Sequence, residues 1–314
     1  MRKSTRVTGL FLIILAAGLW ASSGIFVTGV IRNSNISPLN LAFLREFLTF
    51  LVLFGFLRIL KPDTLQVKKS EWGWLALMGG IGIGLFQAIW IYSVIINGMS
   101  VATMLQYNEA VIISIAAVLF FKERMHWRKV TAIVGSLIGT TLISGIMRLD
   151  AAQIARVGLL IGISSAIAHS AFHLFGKKLT GSYPSSTIML YAFGFATLTL
   201  LPFQLLDPVP TYVSMKAIGH LVILVLGPTL IGFAAYTAAL RWLPVSTAIV
   251  IATCEVPMAA LFGIIFLGES LGIWQAIGAG LVVLGVILVS VGGKQQPFEV
   301  PDQSIRSRSI GPQD

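Results

Sequence analysis

Apolar residues along this chain gather in runs of about twenty, separated by short polar stretches in which Lys and Arg concentrate. The runs lie at approximately 7–31, 38–60, 73–96, 100–121, 128–147, 157–176, 184–206, 217–240, 246–267 and 272–292. A helix rises about 1.5 Å per residue, so some twenty apolar residues cross a hydrocarbon core of about 30 Å. The pattern predicts an all-α polytopic membrane protein with about ten transmembrane helices. Charged side chains inside those runs are few, and they carry the functional information.

Two of them occupy equivalent places in a repeat. An offset of about 146 residues aligns Ser100-Val-Ala-Thr-Met with Ser246-Thr-Ala-Ile-Val, Glu109 with Glu255, and Glu123 with Glu269. The repeats are read as 1–147 and 148–293, five helices each, followed by a disordered cytoplasmic tail over 294–314. Five is odd, so the second repeat must cross the membrane in the opposite sense, giving an inverted-topology pair. Arg2-Lys3 before an apolar run resembles a secretory leader. That run exceeds a typical signal core and lacks a clear Ala-x-Ala site, so it is read as the first helix.

Composition agrees with the hydropathy pattern. The mean hydropathy is +0.89, with 56% hydrophobic and 11% charged residues. The net charge of +10 would suggest nucleic acid in a soluble chain, but here the bases fall between the apolar runs, and no nucleic-acid partner is expected. With a cytoplasmic N-terminus, the inner segments hold Arg2, Lys3, Arg6, Arg58, Lys61, Lys68, Lys69, Lys122, Arg124, Arg128, Lys129, Lys177, Lys178, Arg241, Lys294, Arg306 and Arg308. The outer segments hold only Arg32, Arg148, Arg156 and Lys216. This asymmetry places both termini in the cytoplasm. Lys122, Arg124, Arg128 and Lys129 align with the uncharged Gly268, Ser270, Trp274 and Gln275, as an inverted second copy requires.

Glu109 and Glu255 lie roughly 12 and 13 Å into their helices, near mid-membrane. A carboxyl there must face a water-filled cavity, pair with a cation or stay protonated, and each condition suits transport. Arg45 and Glu46 form a second polar point. Arg45 reaches nearly the depth of Glu109, so a pair between them is sterically allowed, whereas Glu46 cannot face its immediate neighbour on a helix and needs another partner. Gln106 and Asn108 extend polarity around Glu109. Pro257 frees backbone carbonyls near Thr253, marking a candidate unwound segment.

Ser165, His169 and His173 share one face of the sixth run. A metal site is not expected there, because the sequence supplies no third ligand. Cavity lining or proton exchange is the reading adopted. Trp20, Gln87, Tyr92 and Tyr236 are further candidates for contact with an organic ligand, although any single aromatic is as well explained by packing. The run Gly79-Gly80-Ile-Gly82-Ile-Gly84 lies in a helical span and serves close helix approach, as do Gly135 and Gly139. No phosphate-binding loop with its Lys-Ser/Thr is present, no cofactor is expected, and Cys254 is the only cysteine.

Each half ends in an apolar helix, a Glu and a Gly-containing last helix. The first reads Leu119-Phe-Phe-Lys-Glu123-Arg124 with Gly135 and Gly139, and the second Leu267-Gly-Glu269-Ser270 with Gly278 and Gly285. Over residues 7–292 the chain resembles the EamA branch of the drug/metabolite transporter superfamily. The resemblance implies a ten-helix inner-membrane carrier, often an exporter of amino acids or other small metabolites. Arg45 matches an arginine common in the second helix of such repeats, and Pro257 the usual helix proline. Val111 replaces that proline in the first repeat, and Glu109 and Glu255 fall outside the general motif.

The expected function is secondary transport of a small-molecule metabolite by alternating access, with protons as the candidate coupling ion and the lipid bilayer as surroundings. A nucleotide-sugar carrier and a non-transporting membrane receptor or scaffold are the alternatives. No His-Glu-x-x-His or other catalytic constellation supports an enzyme.

Overall fold

The structure, a computed structural model, describes residues 3–97, 102, 105–143, 156–208, 213–267 and 272–291. The tail from 294, the segment carrying Glu269, and residues 98–101 and 144–155, which hold most of two expected turns and the adjoining helix ends, lie outside the described residues. All regular structure among the described residues is helical. The first half comprises α1 (Lys3–Arg32), α2 (Pro38–Leu60), α3 (Trp72–Ala76), α4 (Phe86–Asn97), α5 (Glu109–Phe121) and α6 (Trp127–Ile143). The second comprises α7 (Arg156–Leu179), α8 (Ser185–Leu200), the short α9 (Phe203–Leu206), α10 (Met215–Leu224), α11 (Phe233–Ala239), α12 (Val245–Ala252), α13 (Glu255–Leu267) and α14 (Ile273–Val291).

Local chemistry sets several boundaries. Ser37 caps α2 by accepting from the Asn40 N–H at 3.2 Å, and Pro38 takes the first helical position, where its missing N–H costs nothing. At the end of α5, Lys122 adopts a left-handed conformation with φ 53° that stops the helix. Wide helical turns over Leu77–Leu85 join α3 to α4, and similar turns over Val225–Gly232, around Pro228, join α10 to α11. The glycines of the first stretch do what their spacing suggests. A Cβ on Gly79 would collide with the Ala192 backbone, and one on Gly82 with the Phe172 backbone, so α8 and α7 press directly against this rod.

Joined across their breaks, the described elements form ten rods, five in each half. Among the described residues seven helices are long and apolar enough to cross a membrane, while α2, α5 and α6 fall outside that set. Two of these are described over less than their expected spans: the rod ending in α5 is described continuously from 105, and α6 stops at 143. The third, α2, carries the Arg45–Glu46 pair. The chain is an all-α polytopic membrane protein. The last rods of the two halves, α6 and α14, pack together, with Gly139 and Gly278 facing at the contact. α1 packs on α10 to α13, and the α3–α4 rod on α7 and α8, so each half builds its core against the other.

Candidate functional site

The fourth rod of the second half has a close counterpart in the fourth rod of the first. The helix breaks at Tyr107–Asn108 and again at Thr253–Cys254, and Glu109 and Glu255 open the segments that follow, α5 and α13, each 13 residues long. At both breaks the backbone switches to i→i−3 bonds. Asn108 N–H donates to Leu105 O at 3.3 Å and Ala110 N–H to Tyr107 O at 3.2 Å; Cys254 N–H donates to Ile251 O and Val256 N–H to Thr253 O, both at 3.1 Å. The second break falls near Thr253, where Pro257 marks a candidate unwound segment, and the same break forms in the first half with Val111 at the corresponding position, so a proline is not required for it. Each glutamate therefore sits in the first turn of a half-helix, where the helix dipole favours a negative charge.

Three elements meet at Glu109, which is 2% exposed. Its Oε2 stands 2.6 Å from His169 Nδ1, and its Oε1 3.7 Å from His173 Nε2, both on α7. The other ring nitrogen of His173 lies 2.6 Å from the Tyr236 hydroxyl on α11. Glu255, half-buried, hydrogen-bonds the hydroxyl of the buried Tyr107, which also lies within electrostatic reach of Glu109. Tyr107 thus lies between the two duplicated carboxyls. Phe86 stacks on His169 at 4.1 Å, and Trp20 packs on Phe233 and Tyr236 at 5.1 and 5.3 Å, so aromatic rings wall the cluster.

Arg45 and Glu46 behave otherwise than expected. Arg45 Nη2 meets Glu46 Oε1 at 2.8 Å and its Nε meets the same oxygen at 3.0 Å, although the two are adjacent in sequence. The long guanidinium stem curls back over the helix, which the placement of Cβ atoms alone does not reveal. Gln87 presents its amide oxygen to the same guanidinium. Arg45 is therefore paired with Glu46 and Gln87, and Glu109 with His169. A cavity of about 60 Å³ lies beside this group, lined by Val27, Pro38, Leu41, Arg45, Gln87 and Trp90 among others.

Of the remaining candidates, Asn108 donates to Leu105 O at 3.0 Å and belongs to the break itself, and Gln106 is half-buried one turn from Glu109. Tyr92 is 45% exposed on α4 and stands apart from the walled cluster.

Sequence reasoning missed a second polar group, at the end of the bundle where α5 stops and α12 starts. Glu123 Oε1 accepts from Val245 N–H at 2.9 Å, and its Oε2 bonds the Ser246 hydroxyl. Lys129 Nζ donates to Ser246 Oγ at 2.8 Å and to Glu123 Oε2 at 3.2 Å. Glu123 from the first half thereby caps a helix of the second. The repeat alignment of Glu123 with Glu269 was the available signal. Nearby, Lys177 donates to the carbonyls of Leu240 and Leu243, and Arg241 to those of Thr180 and Tyr183.

Broken helices carrying buried carboxyls in a two-half helical bundle define the membrane-transporter class. The EamA-like transporter family matches twice, over residues 7–145 and 156–291, and the chain belongs to that family, within the drug/metabolite transporter superfamily. It is a transporter rather than an enzyme. The chain is 26% identical over 295 residues to an uncharacterized inner membrane transporter, YicL, of Salmonella typhimurium, covering 93% of this chain and 98% of that one. It is 24% identical to a probable terminal-alkyne amino-acid exporter of Streptantibioticus cattleyicolor, covering 69% of this chain and 72% of that one. A crystal structure of a protein 17% identical in sequence superposes with a TM-score of 0.75, covering 92% of this chain and 98% of that one.

Proposed function

We propose that the protein is a secondary active carrier of the inner membrane that exports amino acids or other small metabolites by alternating access, with protons as the coupling ion. On this reading the ten rods are ten membrane crossings, arranged as inverted five-helix repeats over 1–147 and 148–293, with both termini and the 294–314 tail in the cytoplasm. The observation that carries the proposal is the placement of Glu109, buried, and Glu255, half-buried, at equivalent half-helix N-termini, with Tyr107 near both. A substrate's ammonium group is the natural partner of such carboxyls, with Trp20, Tyr236, His169 and His173 forming the surrounding wall. Likeness to an inner membrane transporter and to an amino-acid exporter supports both location and substrate class. Gln106 completes the polar lining. Arg45 and Gln87 line the cavity of about 60 Å³, and Glu46 pairs with Arg45. A nucleotide-sugar substrate draws less support, because Arg45 is neutralised by Glu46 and Lys178 Nζ lies over the Trp74 ring at 3.3 Å.

The test is uptake of labelled amino acids, amines and nucleotide sugars into proteoliposomes with and without an imposed pH gradient. Gradient-dependent flux of an amine-bearing substrate is expected. Glu109→Gln combined with Glu255→Gln should lower it at least tenfold, the loss of about 1.4 kcal/mol or more of binding. Flux unchanged in that double variant would overturn the proposal.

A further inference from the structure

His169 and His173 project from one face of α7, and the break before α5 brings Glu109 up to them from another helix. The missing third ligand of the sequence reading is thus supplied by the fold. One donor atom from each residue lies within 4.8 Å of the other two. Ligands bound at about 2.1 Å to one tetrahedral ion stand about 3.4 Å apart, so the three donors need only a small side-chain adjustment to close on one ion. Glu109, His169 and His173 are 2, 7 and 0% exposed, and no Lys or Arg pairs with Glu109 among the described residues.

Two further observations point to a cation. His173 Nε2 is buried and has no hydrogen-bond partner among the described residues, although it faces Glu109 Oε1 at 3.7 Å, and an ion between them would satisfy both atoms. The opposite nitrogen of His173 is held by the Tyr236 hydroxyl at 2.6 Å, the kind of outer hydrogen bond that orients a metal-bound imidazole. Two imidazoles and one carboxylate match a borderline divalent ion. Ca²⁺ and Mg²⁺ require more oxygen donors than this site offers.

We propose that Glu109, His169 and His173 bind a divalent transition-metal ion within the membrane, Zn²⁺ fitting the donor set best. The site goes beyond the carrier reading and requires neither its substrate nor its coupling ion. Metal binding can fail while organic flux stands, and the reverse.

The experiment is a titration of tag-free full-length protein in detergent with Co²⁺, the spectroscopic stand-in for Zn²⁺. One Co²⁺ per chain should give the visible bands of tetrahedral nitrogen and oxygen coordination, and equimolar Zn²⁺ should bleach them. Glu109→Gln, His169→Ala and His173→Ala should each abolish the bands, whereas His126→Ala with His220→Ala, which removes the other two histidines, should leave them unchanged. Tyr236→Phe should weaken binding on the order of 10–100-fold. Glu109→Gln is nearly isosteric and decides the matter if a histidine variant does not fold. Absence of tetrahedral bands in the wild type, or bands that survive Glu109→Gln, would overturn the proposal.

Discussion

Glu46 is fully buried on α2, and among the described residues only one of its carboxylate oxygens finds a partner, the Arg45 guanidinium. Removing one member of a buried ion pair strands the other, at a cost of about 3–5 kcal/mol, whereas replacing both by apolar residues of similar volume is close to neutral. Arg45→Ala should therefore lower the thermal midpoint in detergent sharply, and Arg45→Met with Glu46→Leu should restore most of it. A double variant as unstable as the single would show that the pair does not act as a unit. The duplicated carboxyls were legible in the sequence because both their depth and their repetition are properties of spacing. Their partners were not, because His169 reaches Glu109 across two packed helices and no local pattern records that meeting. The Arg45–Glu46 pair was missed for a different reason: the helical angle between adjacent Cβ atoms does not constrain a side chain long enough to fold back.

At the level of elements, the repeated break matters more than the proline near it. Segments α5 and α13 begin at residues that correspond under the repeat offset and have equal length, with Val111 in one and Pro257 in the other. Pro257→Ala should accordingly leave the broken helix in place and change stability by less than about 1.5 kcal/mol, since no interior N–H was being lost there by design of the fold. A collapse of the protein's thermal midpoint would contradict that. Glu123 is the other element-level device, fastening the end of α5 to the start of α12. Charge-assisted bonds of this kind contribute about 1.5–3 kcal/mol each. Glu123→Ala should then open this end on the order of tenfold more often. Cys254, the only cysteine and 6% exposed at the second break, offers a native reporter: its alkylation by a small maleimide should accelerate by a similar factor. An unchanged rate would mean that the Glu123 contact does not hold this end shut.

Across the whole molecule, the two ends differ. One is closed by Glu123, Lys129, Lys177 and Arg241 bonding between the halves and around the turn near Leu240, while the other holds the cavity beside Arg45 and Gln87. The central carboxyls lie between them, walled by aromatic rings. On the carrier reading this is one face of an alternating cycle, and inversion of the repeats supplies the other by exchanging the roles of the two ends. Two equivalent halves, rather than a continuous pore, are the central claim. It is tested most directly by counterflow in proteoliposomes: labelled substrate outside, with and without a large excess of unlabelled substrate inside. A carrier predicts saturable uptake accelerated by the internal substrate and lost in Glu109→Gln with Glu255→Gln. Uptake that rises linearly with concentration and ignores the internal pool would contradict it.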